Sequence, residues 1–369
     1  MTKRTVSRVA ILGCGRGGPA EACHFTKEGF EVRLFELPGM ARNIQPFQEK
    51  GGIEISGAIT GFYTPKLMTT DIAQALRGAE VIMLTSAAMG HQAHFESMAP
   101  HLEDGQIIVV NTSYFACLRF RDLIASTGKR VYLAESNLLP YMVERMSPTS
   151  VRLDGIKDEW WVAALPSTDT PHVVEQVGQV FPPIKAAPSV LYTSIRNENP
   201  VVHPAVVLSN LALVDHTKGD FEFYGYGMSP SVGMVADGVD ADRLAVARKF
   251  GLTLPTYAQY QSAAYAKYGS RGNNVYEVFH TSQAHLPAKY AIPSVAEFNL
   301  FNEDVPYGLV PLASLGHQIG VPTPTIDAMI HLACLVTGID YRQAGTTMEK
   351  LNLADKTIEQ ILNLVATGA

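Results

Sequence analysis

Charge is scarce in this sequence. Of its 369 residues only 17% are Asp, Glu, Lys or Arg, against 47% apolar, where globular chains average about 25% charged. A highly charged coil, an acidic solvating tail and intrinsic disorder are thereby excluded. The balance, 29 Lys+Arg against 35 Asp+Glu for a formal charge of -6, contains no basic block, so nothing marks a surface for nucleic acid or an anionic membrane. Cysteine is equally sparse. Cys14, Cys23, Cys117 and Cys334 stand far apart with no C-x-x-C spacing, which argues against a thiolate zinc site or a disulfide scaffold and fits a reducing cytoplasm. Long apolar runs are missing too. The basic stretch Met1–Arg8 is followed by only a short apolar run, Val9–Leu12, shorter than the roughly 7 to 15 residues of a signal-peptide core. Val201–Val214 and Ile326–Ile339 are interrupted by His203, Pro204 and Asn210, and by Asp327 and His331, so no membrane span of about 18 residues is expected.

What is present is organised in two textures. Over the first part, short apolar runs alternate with amphipathic stretches, the pattern of βαβ units on a parallel sheet. Strands are expected at Arg8–Leu12, Glu31–Glu36, Val81–Thr85, Ile107–Asn111 and Val131–Ala134, and helices at Pro19–Glu28, Asp71–Leu76 and Gln92–Leu102. Ser150–Leu153 and Trp160–Ala164 read as strands that extend the same sheet, whereas Leu138–Met146 and Pro287–Leu300 show no regular pattern. Beyond Arg196 helical periodicity takes over, in Pro204–Asp215, Val232–Phe250, Tyr257–Tyr268, Leu309–Gly320 and Thr325–Thr337. The expected fold is an α/β Rossmann-type dinucleotide-binding domain, residues 1–196, followed by an all-α helical domain, residues 197–369, that carries substrate and catalysis. The apolar segments Pro204–Val214 and Leu309–Thr337 are expected to pack against the first domain or a second subunit.

The most informative motif runs from the first strand into Gly13-Cys14-Gly15-Arg16-Gly17-Gly18 and then a helix. Gly13 permits the tight turn, Gly15 lets the backbone approach a pyrophosphate, and Gly18 allows close packing of helix on strand. The helix N-terminus then offers free N–H groups to the phosphates. The second strand ends in Glu36, eighteen residues past Gly18, where an acid can accept from the adenine ribose hydroxyls. Its charge would repel a 2′-phosphate, favouring NAD, although Arg42 nearby leaves NADP open. By the same strand-end logic Thr85, Ser86 and Ala87 should lie near the nicotinamide.

A hydride carrier does not say which bond is reduced, so acid/base groups are sought elsewhere. Of eleven histidines, His91 and His94 are three apart on what reads as a surface helix, and His280 and His285 flank a short polar stretch; neither pair has a third ligand, and no metal site is expected. His203, in Asn197-Glu-Asn-Pro-Val-Val-His203-Pro204, falls at the joint between the two textures. Pro204 suits a first helical turn, placing the imidazole at a helix start facing an interdomain cleft, where a histidine, with an ordinary pKa of about 6.5, suits general acid/base work. Histidines at helix starts also cap or pack. Asp304, in Asn302-Glu-Asp-Val-Pro-Tyr-Gly308, reads by itself as a charge at a helix N-terminus, and as a dyad partner if its carboxylate reaches the imidazole.

At these residues the sequence resembles the opine dehydrogenases of the octopine/nopaline group, over almost the whole chain. The resemblance rests on Gly13–Gly18, Ala134-Glu135-Ser-Asn-Leu-Leu-Pro140-Tyr141, Asn199-Pro-Val-Val-His203-Pro204, Gly238-Val-Asp240-Ala-Asp242-Arg243 and Glu303-Asp304-Val-Pro-Tyr-Gly308-Leu309. It implies a catalytic dyad of His203 and Asp304 and an NAD(P)H-dependent condensation of a 2-oxo acid with an amine to a secondary amine. Asn299 and Tyr141 are then expected to touch substrate, in a homodimer of small-molecule function. Asn299 is also a departure: relatives acting on basic amino acids carry arginine five residues before the aspartate. Either the carboxylate is held elsewhere, for example by Arg145, Arg196 or Arg271, or the substrate is not a typical amino acid. A hydroxy-acid or alcohol dehydrogenase on the same scaffold and a non-catalytic dinucleotide sensor are the competing readings.

Overall fold

The computed structural model describes residues 5–369. They form two compact units, the first running to Ser194 and including Asn363–Ala369, the second spanning Ile195–Leu362.

In the first unit the chain runs β1 (Arg8–Leu12), α1 (Gly17–Lys27), β2 (Glu31–Phe35), α2 (Gln45–Lys50), β3 (Ile53–Gly57), β4 (Gly61–Tyr63), β5 (Leu67–Thr69) and α3 (Ile72–Leu76). It continues through β6 (Val81–Leu84), α4 (His91–Met98), β7 (Ile107–Val110), α5 (Ala116–Ser126), β8 (Tyr132–Ser136), β9 (Tyr141–Ser147), β10 (Ser150–Ile156), β11 (Trp160–Leu165), α6 (Thr170–Val177), β12 (Ile184–Ala186) and α7 (Val190–Ile195). The main sheet has the order β12-β11-β8-β7-β6-β1-β2-β5. From β5 to β8 all neighbours are parallel. β1, β6 and β7 are buried residue for residue after Arg8, as strands covered on both faces must be, which is why they read as unbroken apolar runs. The strand order reverses between β1 and β6, where Leu12 stands beside Leu84. In open α/β sheets ligands bind outside the carboxyl ends of the strands at such a reversal.

Two sequence expectations fail here. Ser150–Leu153 does not extend the main sheet: as part of β10 it pairs with β3 and β9 in a separate four-stranded sheet, β4-β3-β10-β9, packed on α1. Val151 and Leu153 join Ile53, Ile55 and Tyr141 in the buried core, and alternate with the half-buried Ser150 and Arg152 and the exposed Asp154. The irregular-looking Leu138–Met146 contributes β9, whose polar, half-buried pattern hides its strand character.

The second unit is helical: α8 (Asn199–Ser209), α9 (Leu211–Thr217), α10 (Pro230–Lys249), α11 (Tyr257–Ala264), α12 (Val275–His280), α13 (Asn299–Asp304), a π-helical turn Val305–Leu309, α14 (Val310–Gln318), α15 (Pro324–Thr337), α16 (Tyr341–Ala344) and the start of α17 (Ile358–Thr367). α8 is apolar all round, with Pro200 through Leu208 buried, as expected of a helix with no polar face to present to water. It packs against α10, α13, α15 and the π turn. Met234 on α10 and Leu335 on α15 are exposed. The Asp240–Asp242–Arg243 motif ties the bundle together. Arg243, fully buried, donates to Asp240 at 2.6 and 2.8 Å and to the Ile195 and Pro255 carbonyls, while Asp242 accepts the first backbone N–H groups of α15.

Candidate active site

The glycine loop joins β1 to α1 at the strand-order reversal. Gly13 has φ +106°, and a Cβ there would lie 2.6 Å from the Thr85 carbonyl oxygen; a Cβ on Gly18 would lie 1.9 Å from the Gly13 oxygen. Both positions are closed to any side chain. Gly15 differs: nothing lies within 4 Å of its Cβ position, and Gly15 and Arg16 are exposed on a loop otherwise buried. The loop therefore packs tightly inward and leaves one open lip of backbone, which fits a ligand that must come against main chain, as a pyrophosphate does.

Glu36 follows β2 and closes onto this loop. Its carboxylate accepts from Cys14 N and Asn43 Nδ2 at 3.0 Å and from Leu37 N at 2.9 Å, and it is 4% exposed. Arg145 does the same from β9. Its guanidinium donates to the Cys14 and Gly15 carbonyls at 2.9 and 3.0 Å and to those of Asn43, Ser147 and Pro148, and it stacks over Phe47. Every direction of the fork is engaged, so Arg145 braces the glycine loop and is not available to grip a substrate carboxylate. The sequence held no local sign of this, because the contacts span more than a hundred residues.

Thr85 and Ser86 follow β6 at the same edge, Thr85 buried, Ser86 half-buried and Ala87 exposed. Asn111 follows β7, and beyond it Thr112, Tyr114 and Phe115 all take left-handed φ values of 44° to 72°. Non-glycine residues persist there only when surrounding bonds hold them; Thr112 N donates to Ser136 Oγ and Phe115 N to Ser194 Oγ. Glu135, at the end of β8, is fully buried and accepts from Cys117 N, Thr193 Oγ1 and Ser194 Oγ; burial pushes its carboxyl above the usual range. His91 and His94, expected on a surface helix, are buried as well. α4 turns them inward, His94 bonding the Gly90 carbonyl through Nδ1 and lying 4.0 Å from Glu36.

In the second unit His203 and Asp304, 101 residues apart, meet: Nδ1 lies 2.6 Å from Asp304 Oδ2. His203 is 8% and Asp304 1% exposed. His203 is not at a helix start. α8 begins at Asn199 with Pro200 in its first turn, and Pro204 lies inside the helix, so the imidazole projects from the second turn. Asp304 ends α13 and runs straight into the π turn. A Cβ on Gly308 in that turn would lie 2.2 Å from Pro200 Cγ. This close passage of two backbones sets the imidazole against the carboxylate, and π segments of this kind recur at functional sites.

The other imidazole nitrogen, Nε2, lies 2.8 Å from the Tyr224 hydroxyl. In the neutral tautomer that donates Nδ1–H to the carboxylate, Nε2 carries the lone pair and accepts a hydrogen bond from the Tyr224 hydroxyl. Burial raises the Tyr224 phenol well above its ordinary range, so it stays a donor. Its ring stacks on Phe279, centroids 4.4 Å apart, and edge-on to His285. Tyr224 escaped the sequence reading, which offered only the aromatic run Phe221-Glu-Phe-Tyr224 as a signal.

The substrate residues expected from sequence fall in different units. Asn299 is exposed at the first position of α13, the helix that ends in Asp304. Tyr141 is in the core of the first unit, 4% exposed, its hydroxyl 2.9 Å from His24 Nδ1 and its ring against Phe181; that side chain is used in packing and not presented to a substrate. Arg196 lies 3.7 Å from Glu198 in a buried pair, and Arg271 lies on an exposed loop of the second unit.

The family model described as NAD/NADP octopine/nopaline dehydrogenase, alpha-helical domain, matches residues 186–337. An opine dehydrogenase of Arthrobacter sp. (strain 1C) is 33% identical over 359 residues, 96% of this chain and 98% of that protein. An octopine dehydrogenase of Mizuhopecten yessoensis is 22% identical over 98% of each chain. The structure of octopine dehydrogenase in complex with NADH and agmatine aligns with a TM-score of 0.77 at 20% identity, covering 97% of this chain and 98% of that one, which establishes a shared fold. With a relative of that identity matched along nearly its whole length, the chain belongs to the opine dehydrogenase family.

Proposed function

We propose that this enzyme condenses a 2-oxo acid with the amino group of an amino acid and reduces the resulting imine to a secondary amine, with NAD as the preferred dinucleotide. The observation that carries the reading is the 2.6 Å contact of His203 Nδ1 with Asp304, a carboxylate-oriented imidazole whose second nitrogen meets a hydroxyl, within a chain of this family. The backbone of Gly13, Cys14, Gly15, Arg16, Gly17 and Gly18 would hold the pyrophosphate, Glu36 the adenosine side, and Thr85, Ser86 and Ala87 the nicotinamide half. Bound there, the dinucleotide supplies the hydride. Negative charge at Glu36 disfavours a 2′-phosphate, which supports NAD over NADP.

The amine adds to the carbonyl carbon, the carbinolamine loses water, and hydride with one proton completes the secondary amine. His203 does the proton work. As an imidazolium it donates from Nε2 to the departing hydroxyl, and in the oxidative direction it accepts a proton from the substrate amine or water. Asp304 holds the tautomer and stabilises the imidazolium. The Tyr224 hydroxyl, already on Nε2, is placed to pass the proton between imidazole and substrate. With asparagine at position 299 there is no guanidinium fork at that helix start, which supports an amine whose side chain is not itself basic. A cytoplasmic homodimer is the proposed state; no described helix is long and apolar enough to cross a membrane.

Mixing the enzyme with NADH and 2-oxo acids, with and without amino acids, tests this. NADH consumption that requires both co-substrates is expected. Consumption with a carbonyl compound alone would identify a hydroxy-acid dehydrogenase, and tight NADH binding without turnover a sensor.

A further inference from the structure

Beneath the glycine loop lies an acid that the reaction does not use. Glu21, one turn into α1, is fully buried. Its carboxyl accepts from Thr85 Oγ1 at 2.6 Å and from Asn111 Nδ2 at 3.1 Å, and Asn111 Nδ2 also bonds Thr85 Oγ1 at 2.9 Å. The three side chains come from α1 and from the carboxyl ends of β6 and β7, at the strand-order reversal where a dinucleotide settles.

No cation accompanies this acid among the described residues. The titratable group whose charge bears on it is Tyr141 on β9, which in turn bonds His24 of α1. Burial keeps the phenol protonated and the imidazole neutral. Glu36 and Arg145 lie at the loop and close on its backbone, while Glu31, Arg33, Glu54 and Arg152 on β2, β3 and β10 are engaged in surface ion pairs. A carboxylate so placed has lost its hydration without gaining a counter-charge, and burial pushes the Glu21 carboxyl up to about 7.

Two contacts connect this acid to the ligand side. Thr85, its shortest hydrogen-bond donor, is the residue on which the loop rests: Cβ positions at Gly13 and Gly17 fall 2.6 and 2.7 Å from Thr85 atoms. Asn111 Oδ1 is buried with no partner, so a proton on Glu21 has a waiting acceptor once the amide turns over.

We propose that Glu21 couples proton uptake to dinucleotide binding: its carboxyl takes a proton from solvent as the anionic dinucleotide settles on the glycine loop, and returns it on release. A pyrophosphate brought over a low-dielectric site raises the proton affinity of a nearby acid. By linkage the protonated enzyme then binds more tightly, and affinity falls as pH rises through the Glu21 titration, about tenfold for each unit by which the ligand raises it. NADH carries one more negative charge than NAD⁺, so its linkage is the larger and the site favours the oxidised form as pH rises.

The proposal rests on the dinucleotide reading, and calorimetry keeps the two apart. NADH and NAD⁺ are titrated into the full chain in phosphate and in Tris, at intervals between pH 6 and 8.5, and the buffer-dependent heat gives the protons taken up. The expected result is proton uptake that is greater for NADH, with an NADH Kd that weakens several-fold across the range. In Glu21→Gln this uptake and pH dependence disappear. In Thr85→Val, which removes a bond to the ionised acid, the weakening moves to higher pH, an outcome readable even if the first variant does not fold. Equal proton uptake in wild type and Glu21→Gln, or no shift in Thr85→Val, overturns the proposal while leaving the dinucleotide reading in place. Absence of any NADH binding removes both.

Discussion

At the scale of single residues the chemistry depends on which imidazole nitrogen carries the proton. Asp304 is buried and 2.6 Å from His203 Nδ1, an arrangement in which the carboxylate can only accept. His203→Ala removes the acid/base and is expected to lower kcat by about 10² to 10⁴, with NADH affinity nearly unchanged in a fluorescence titration. Asp304→Asn keeps the shape but presents an N–H to Nδ1, forcing the proton onto Nε2 against Tyr224. A loss of kcat on the order of 10³ or more is expected by analogy with other carboxylate–histidine pairs. A loss of NADH affinity equal to the loss of kcat in either variant would assign the pair a structural role.

At the scale of elements, two glycines in one loop make opposite predictions. Gly15→Ala adds a methyl to open space, so thermal stability should hold while NADH affinity falls. Gly18→Ala drives a methyl to 1.9 Å from the Gly13 oxygen, so stability and affinity should fall together; binding calorimetry alongside melting curves separates the cases. In the helical unit, Gly308→Ala puts a methyl 2.2 Å from Pro200 Cγ, and neither backbone has a flexible side chain to yield. α8 and the π turn must part, at about 1 to 3 kcal/mol for overpacking, and the dyad they carry parts with them. A displacement near 1 Å costs on the order of 10² in rate, so kcat should drop well beyond what the melting temperature suggests. Unchanged kcat would mean that the π turn does not set the dyad.

At the scale of the whole molecule, buried acids govern how stability follows pH. Glu21 has its carboxyl raised from 4.5 to about 7 by burial. Between those values the native state holds a proton that the unfolded chain has released, so its contribution is full below about 4.5 and is lost as pH rises toward 7. At about 1.4 kcal/mol per unit this amounts to roughly 3 kcal/mol. Glu21→Gln has no proton to lose, so its stability relative to wild type should rise across that interval in urea unfolding monitored by circular dichroism. A constant difference would show that Glu21 is not protonated in the folded protein.

The sequence alone determined what depends on neighbours along the chain. The runs Val9–Leu12, Val81–Leu84 and Ile107–Val110 declare buried parallel strands because both faces are covered, and the spacing of Gly13, Gly15 and Gly18 declares the turn because sterics there are local. The helical character beyond Arg196 is legible for the same reason. His203 and Asp304 were readable as candidates only through their motifs. That Glu36 turns back on Cys14, that Arg145 braces the loop, that Tyr141 is buried on His24 and that Tyr224 meets Nε2 were decided by tertiary structure. So was the cluster of Glu21, Thr85 and Asn111, whose members lie 64 and 90 residues from the acid. Periodicity and glycine sterics are written in adjacent residues, whereas desolvation and hydrogen bonding belong to whichever distant strand end or helix the fold brings alongside.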